Sequence, residues 1–146
     1  MRSLNQSLPL KLLMAREAVM ERFRPHLLKA GVTEQQWRVL RALCETEEIE
    51  AGELAEAICL KLPSLSRIIA DLSKRGLIQK RNGTEDKRRR LVSILPDGRA
   101  LVDAMAVHSE VEYKKIQKDL GEMAYRTFMS QLDMVIERLD DRDRGE

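Results

Sequence analysis

Apolar positions along this chain repeat at helical spacing in most segments and gather into short strand-length runs in only a few. Leu12, Val19, Phe23 and Leu27 fall at steps of seven and four, which puts them on one face of a long opening helix. Pro9 suits its first turn, where a missing N–H costs nothing, and Pro25 is expected to kink or shorten it. Gly31 should end it. Thr33 followed by Gln36 has the spacing of a capping box, opening a second helix through about residue 45 with Trp37, Leu40, Leu43 and Cys44 turned inward.

Residues 49–52 read as a brief extended crossing, and Leu54, Ala55 and Ile58 mark a short helix after it. Pro63 can take the first position of the next helix. There Leu65, Ile68, Ile69 and Leu72 share one face, leaving Ser64, Ser66, Arg67, Asp71 and Lys74 outside. Two short helices across a tight turn make a helix-turn-helix. Gly76 stops the second, and 77–81 and 91–95 then read as the strands of a hairpin whose loop opens on Asn82-Gly83. That loop is longer than Asn-Gly alone would need, so it projects as a wing. Pro96-Asp97-Gly98 begins a long helix with Leu101, Met105 and Ile116. Past Gly121, a last helix carries Leu132, Val135, Ile136 and Leu139 at i, i+3, i+4, i+7.

At 146 residues the chain suits one domain, and its few aromatics favour helix packing. The expected fold is mainly α: a single domain over 1–146, with a winged helix-turn-helix at 33–98 and helical dimerisation parts at 1–32 and 99–146. The apolar stripes at both ends exceed what one small winged domain can bury, which supports self-association. No stretch is apolar enough to span a bilayer, no leader pattern is visible, and with only Cys44 and Cys59 a disulfide framework is not expected. A reducing cytoplasm fits, with both thiols read as small buried apolar side chains. There is no phosphate-binding Gly-Lys-Ser loop, nucleophile elbow or zinc-ligand cluster, and His26 and His108 stand apart in sequence. Neither an enzyme nor a metal or cofactor site is expected.

Charge sharpens this picture. Residues 61–90 hold ten Lys or Arg against three Asp or Glu, a net +7, so the rest of a chain that is +2 overall carries −5. Such segregation suits a polyanion, whose neutralised phosphates release counterions; a solvated charged face is the alternative. A helix fits the major groove, and the fork of Arg67 matches guanine O6 and N7. It has phosphate contact or a plain surface role as competing readings. Lys61 and Lys74 fit the backbone, and Pro63, Ser64 and Ser66 either approach the duplex or only start the helix. At the wing tip, Asp86, Lys87, Arg88, Arg89 and Arg90 set one acid among four cations. If Asp86 holds the Arg88 guanidinium, that side chain enters a narrow minor groove already ordered; otherwise the run is a flexible basic loop.

The order of these pieces resembles the MarR family of bacterial winged-helix transcriptional regulators. The likeness rests on Gly31-Val32-Thr33-Glu34-Gln35-Gln36-Trp37-Arg38-Val39-Leu40, Glu53-Leu54-Ala55-Glu56, Arg75-Gly76-Leu77-Ile78, Asp86-Lys87-Arg88 and Leu95-Pro96-Asp97-Gly98. It implies a homodimer interlocked through its terminal helices, binding a palindromic double-stranded operator, with Asp86 and Arg88 as the family's wing-tip Asp-x-Arg pattern. Arg22-Phe23-Arg24-Pro25, the block from Thr33 to Leu43, and Pro63-Ser64-Leu65-Ser66-Arg67-Ile68 are similar to the subgroup repressing homoprotocatechuate degradation operons. That implies a repressor of aromatic catabolism released by a phenolic acid. The segments flanking the ligand crevice in such proteins hold Arg16, His26, Trp37, Arg38 and Arg41, with Trp37 as an apolar wall and Arg16 or His26 for a carboxylate. Core packing of Trp37 and salt bridges of the arginines are the plainer alternatives. Other readings are a regulator of efflux or stress genes with another ligand, or a winged-helix protein-interaction module.

Overall fold

The computed structural model describes residues 3–140. A short 3-10 turn at Leu4–Gln6 leads into α1, Leu8–Ala30, whose first turn is capped by Ser7 and contains Pro9. Pro25 does not shorten this helix, which runs on to Ala30. Its ring removes one backbone donor but its fixed φ is helical, and Leu27, two residues later, is buried in the core. α2, Glu34–Cys44, opens on the expected capping box: Thr33 Oγ1 accepts the Gln36 N–H at 3.1 Å and Gln36 Oε1 accepts the Thr33 N–H at 3.0 Å. Its buried stripe is Val39, Leu40 and Leu43, with Trp37 and Cys44 half-buried on its flanks. Val39 thus joins the inward face that the sequence assigns to Trp37 and Cys44.

The crossing after α2 is shorter than expected. β1 is only Ile49–Glu50, and α3, Ala51–Ala57, already includes Gly52. Cys59 then takes a left-handed backbone conformation (φ 54°) and stands exposed, with Leu60 half-buried beside it. This corrects the buried reading of that thiol: the turn between the helices leaves Cys59 outside and brings Leu60 onto the core. Cys44 is half-buried, and desolvation pushes its thiol above the ordinary range.

α4, Leu62–Lys74, has Pro63 at its second rather than first position and buries the stripe Leu65, Ile68, Ile69 and Leu72. Each such side chain contributes roughly 2 kcal/mol of burial. α4 ends in a Schellman turn: Gly76 lies at φ 73°, and Leu77 N–H donates back to Leu72 O at 3.0 Å. That bond ties Leu77 to the helix, so β2 begins one residue late, at Ile78–Asn82. β3 is Arg90–Ile94. The sheet order is β1-β3-β2, antiparallel throughout, with Ile78 opposite Ile94, Arg81 opposite Leu91 and Ile49 opposite Val92. The core joins Leu27, Val39, Leu40, Leu43, Leu54, Leu65, Leu72, Ile78, Val92, Val102 and Met105.

α5 is Pro96–Leu120 and, after Gly121, α6 is Glu122–Leu139. Two compact units meet in sequence at Ser109 and Glu110, within α5. In the second unit Glu112 and Ile116 are buried, and α6 buries no residue within the single chain. Leu132 and Val135 are half-buried, while Ile136 and Leu139 are 60% and 68% exposed. No helix among the described residues is long and apolar enough to cross a membrane.

Gly98 is required for the contact between the wing and the start of α5. A Cβ there would collide with the Leu77 carbonyl oxygen and come within 3.0 Å of Ile94 Cγ1. Since a backbone oxygen cannot swing aside, Gly98→Ala is expected to cost about 2 kcal/mol and roughly 5 °C of melting temperature. Thermal unfolding checks this.

Candidate nucleic-acid interface

The apolar stripe that seats α4 on the core also fixes which residues it presents outward. Lys61, Pro63, Ser64, Arg67 and Lys74 are exposed, and Ser66 is half-buried rather than fully outside. Among the described residues, Lys61, Arg67 and Lys74 carry no ion pair or side-chain hydrogen bond, so their charges are uncommitted. Arg75, by contrast, lies 4.0 Å from Asp71.

The wing loop is built from its own backbone. Gly83 N–H donates to Arg89 O at 2.8 Å and Arg89 N–H to Asp86 O at 3.1 Å, closing the loop around residues 83–89. Asp86 accepts the Arg88 backbone N–H at 3.0 Å, its Nε at 3.1 Å and its Nη2 at 3.4 Å. The carboxylate thus holds the guanidinium by the clasp that the sequence suggests. These side-chain and backbone hydrogen bonds from Arg88 hold the Asp86 carboxyl below the usual range, so it stays ionised at neutral pH. The Arg88 side chain is nevertheless 92% exposed. It is oriented without being covered.

The remaining wing cations divide. Lys87 and Arg90 are exposed, with no side-chain partner among the described residues. Arg89 instead turns back to Glu50 of β1, Nε to Oε2 at 3.0 Å, and that partner raises its pKa above the ordinary arginine value. Arg81 likewise grips Glu48 through Nε and Nη2 at 2.8 and 2.6 Å. Two ion pairs therefore brace the hairpin against the segment entering β1. Sequence reasoning missed both, because Glu48 and Glu50 lie more than thirty residues from their partners and carry no local signal.

The five residues read as ligand-binding do not share one set of contacts. Arg16 reaches Glu17 at 3.0 Å and Glu34 at 2.7 Å, and Arg24 joins the same two carboxylates at 2.5 and 2.6 Å. Hydrogen bonds from Arg16, then Arg24, hold the Glu34 carboxyl below its usual range, and those from Glu34 and Glu17 raise the Arg24 pKa. His26 stacks on His108 with ring centroids 5.2 Å apart, so two histidines distant in sequence are neighbours in space. Arg38 Nη1 donates to Ile58 O at 2.7 Å while its Nε is buried without a partner, and Arg41 lies 6.0 Å over the Trp37 ring. A groove of about 590 Å³ beside the end of α1 is lined by Glu21, Arg24, Pro25, Leu27, Leu28, Val32, Thr33 and Glu34, and includes none of the five. The described residues contain no cluster of three or more His, Cys, Asp or Glu able to hold a metal ion.

A helix-turn-helix followed by a cation-tipped, three-stranded wing defines a winged-helix DNA-binding regulator. The chain belongs to the MarR family, whose model matches residues 32–89. It is 34% identical over 119 residues to the HTH-type transcriptional regulator FarR of Neisseria gonorrhoeae, covering 82% of both chains. It is 34% identical over 114 residues to the homoprotocatechuate degradative operon repressor of Escherichia coli, covering 78% of this chain and 77% of that one. Its fold is similar to that of NadR solved in complex with 4-hydroxyphenylacetate, with TM-score 0.79 and 31% identity over 92% of this chain and 96% of that one. The protein is accordingly a transcriptional regulator and not an enzyme.

Proposed function

We propose that this chain works in the cytoplasm as a homodimeric repressor of an aromatic catabolic operon, released from a palindromic operator by a phenolic acid. The observation that carries the DNA-binding part is the sorting of cations. Arg81 and Arg89 are spent bracing the wing, whereas Arg67 on α4 has no ion pair or side-chain hydrogen bond among the described residues and Arg88 is exposed but already oriented by Asp86. In this reading α4 lies in the major groove with Arg67 on base edges. Lys61, Ser64, Lys74, Lys87 and Arg90 meet phosphates, and Arg88 enters the minor groove.

Support for the dimer comes from α6, an amphipathic helix none of whose residues is fully buried within its own chain. The aromatic effector is supported by the likeness to a repressor of homoprotocatechuate degradation and to a regulator solved with 4-hydroxyphenylacetate. Trp37 and Arg41 of α2 supply an aromatic face and a cation, with Arg38 on the same helix and Arg16 and His26 on α1. An acid that prefers the half-site spacing unsuited to DNA shifts the population away from the bound form. The test begins with a duplex selected by the protein from fragments of its own genome. Titrating 4-hydroxyphenylacetate or 3,4-dihydroxyphenylacetate into that complex is expected to release the duplex, and unchanged affinity at millimolar acid overturns the aromatic assignment.

A further inference from the structure

Gln36 uses one amide for two purposes. Its Oε1 closes the capping box of α2 by accepting the Thr33 N–H at 3.0 Å, and its Nε2 donates to Asp71 Oδ2 on α4 at 2.7 Å. The same first turn of α2 carries Glu34, gripped from α1 by Arg16 at 2.7 Å and Arg24 at 2.6 Å. The N-terminus of α2 is thereby pinned on one side to α1 and on the other to α4.

We propose that Gln36 is a positioning residue for duplex binding, acting through Asp71 to set the orientation of α4. The proposal rests on the reading of α4 as the groove-facing helix. The apolar stripe of α4 fixes which face turns to the core and how deeply the helix sits, but apolar contacts have no direction of their own and leave the last small adjustment of its rotation to polar contacts at the rim. A hydrogen bond from outside the core supplies that direction. Asp71 lies four residues beyond Arg67, on the same face of the helix, so a rotation that the Gln36 bond prevents would carry the Arg67 guanidinium with it. Gln36 and Arg75 also occupy the Asp71 carboxylate, which otherwise would stand as a bare negative charge on a surface meant for phosphates.

The chemistry allows the strut to be cut while the cap is kept. In Gln36→Glu, a carboxylate oxygen still accepts the Thr33 N–H, but nothing remains to donate to Asp71. In Gln36→Glu with Asp71→Asn, the bond returns with donor and acceptor exchanged, at the wild-type net charge. Asp71→Asn alone keeps a neutral version of it. Affinities for a duplex selected by the wild-type protein are measured for all four chains, together with their melting temperatures. Gln36→Glu is expected to bind roughly three- to tenfold more weakly without a matching loss of melting temperature. Adding Asp71→Asn should recover most of that loss, and by a larger factor than Asp71→Asn alone improves the wild type. If the two substitutions act independently, or if Gln36→Glu binds as the wild type does, the strut has no positioning role. If the wild-type protein selects no duplex, it is the groove-reading assignment of α4 that fails.

Discussion

Arg88→Ala is expected to lower affinity for the selected duplex by two to three orders of magnitude at moderate salt, with no change in melting temperature. The side chain is 92% exposed and its only partner among the described residues is Asp86, two residues away, so its removal opens no cavity and unties no other element. What is lost is a cation delivered to the groove in a fixed pose, worth about 1–3 kcal/mol at each site. In the proposed dimer two wings double the loss, and roughly 3–4 kcal/mol in total is a factor of a few hundred. Asp86→Asn should behave differently: the guanidinium remains but the clasp weakens, so the cost is the ordering of one long side chain, about tenfold or less across both wings. Fluorescence anisotropy on a labelled duplex distinguishes them. A loss below threefold for Arg88→Ala would mean that the wing does not enter the groove.

The features legible in the sequence are those written within one turn or one heptad. The Thr33–Gln36 cap, the Leu65/Ile68/Ile69/Leu72 stripe, the stop at Gly76 and the Asp86–Arg88 clasp all depend on residues two to seven apart, and each is found where the pattern puts it. Pairings between distant segments left no such trace. β1 is two residues long, too short to show alternation, so its place beside β3 was not readable from residues 49–52. The Arg81–Glu48 and Arg89–Glu50 bridges and the His26–His108 stack follow from the topology alone, and they change what the basic run means: of the wing cations named from sequence, Arg89 is engaged as a brace. Pro25 and Cys59 illustrate the other limit. A proline with a helical φ need not shorten a helix, and a thiol in a left-handed turn can face solvent, because tertiary context overrides the local preference. For the residues proposed to meet a ligand, the sequence leaves salt bridges open as an alternative, but which partners Arg16, Arg38 and Arg41 meet in their own chain is set by the fold and not by a one-dimensional pattern.

Ile136→Glu is expected to separate the two copies of the proposed dimer and to remove operator binding with it. Within one chain Ile136 is 60% exposed, with Leu139 at 68% and Met129 at 43% near it on the same side of α6, so an isolated copy would accept a carboxylate there at little cost. In a two-fold interface the same position is covered by the partner, and symmetry introduces the charge twice. Each uncompensated carboxylate moved out of water costs several kcal/mol, which puts the rise in dimer dissociation constant at about a thousandfold or more. A monomer offers one α4 and one wing to a two-fold operator and keeps only half of the phosphate contacts, so its affinity and its dependence on salt both fall. Sedimentation at micromolar concentration reads the mass, and circular dichroism confirms that the helices persist. A variant that stays dimeric, with wild-type affinity for the selected duplex, would show that the exposed face of α6 is not what joins the two copies.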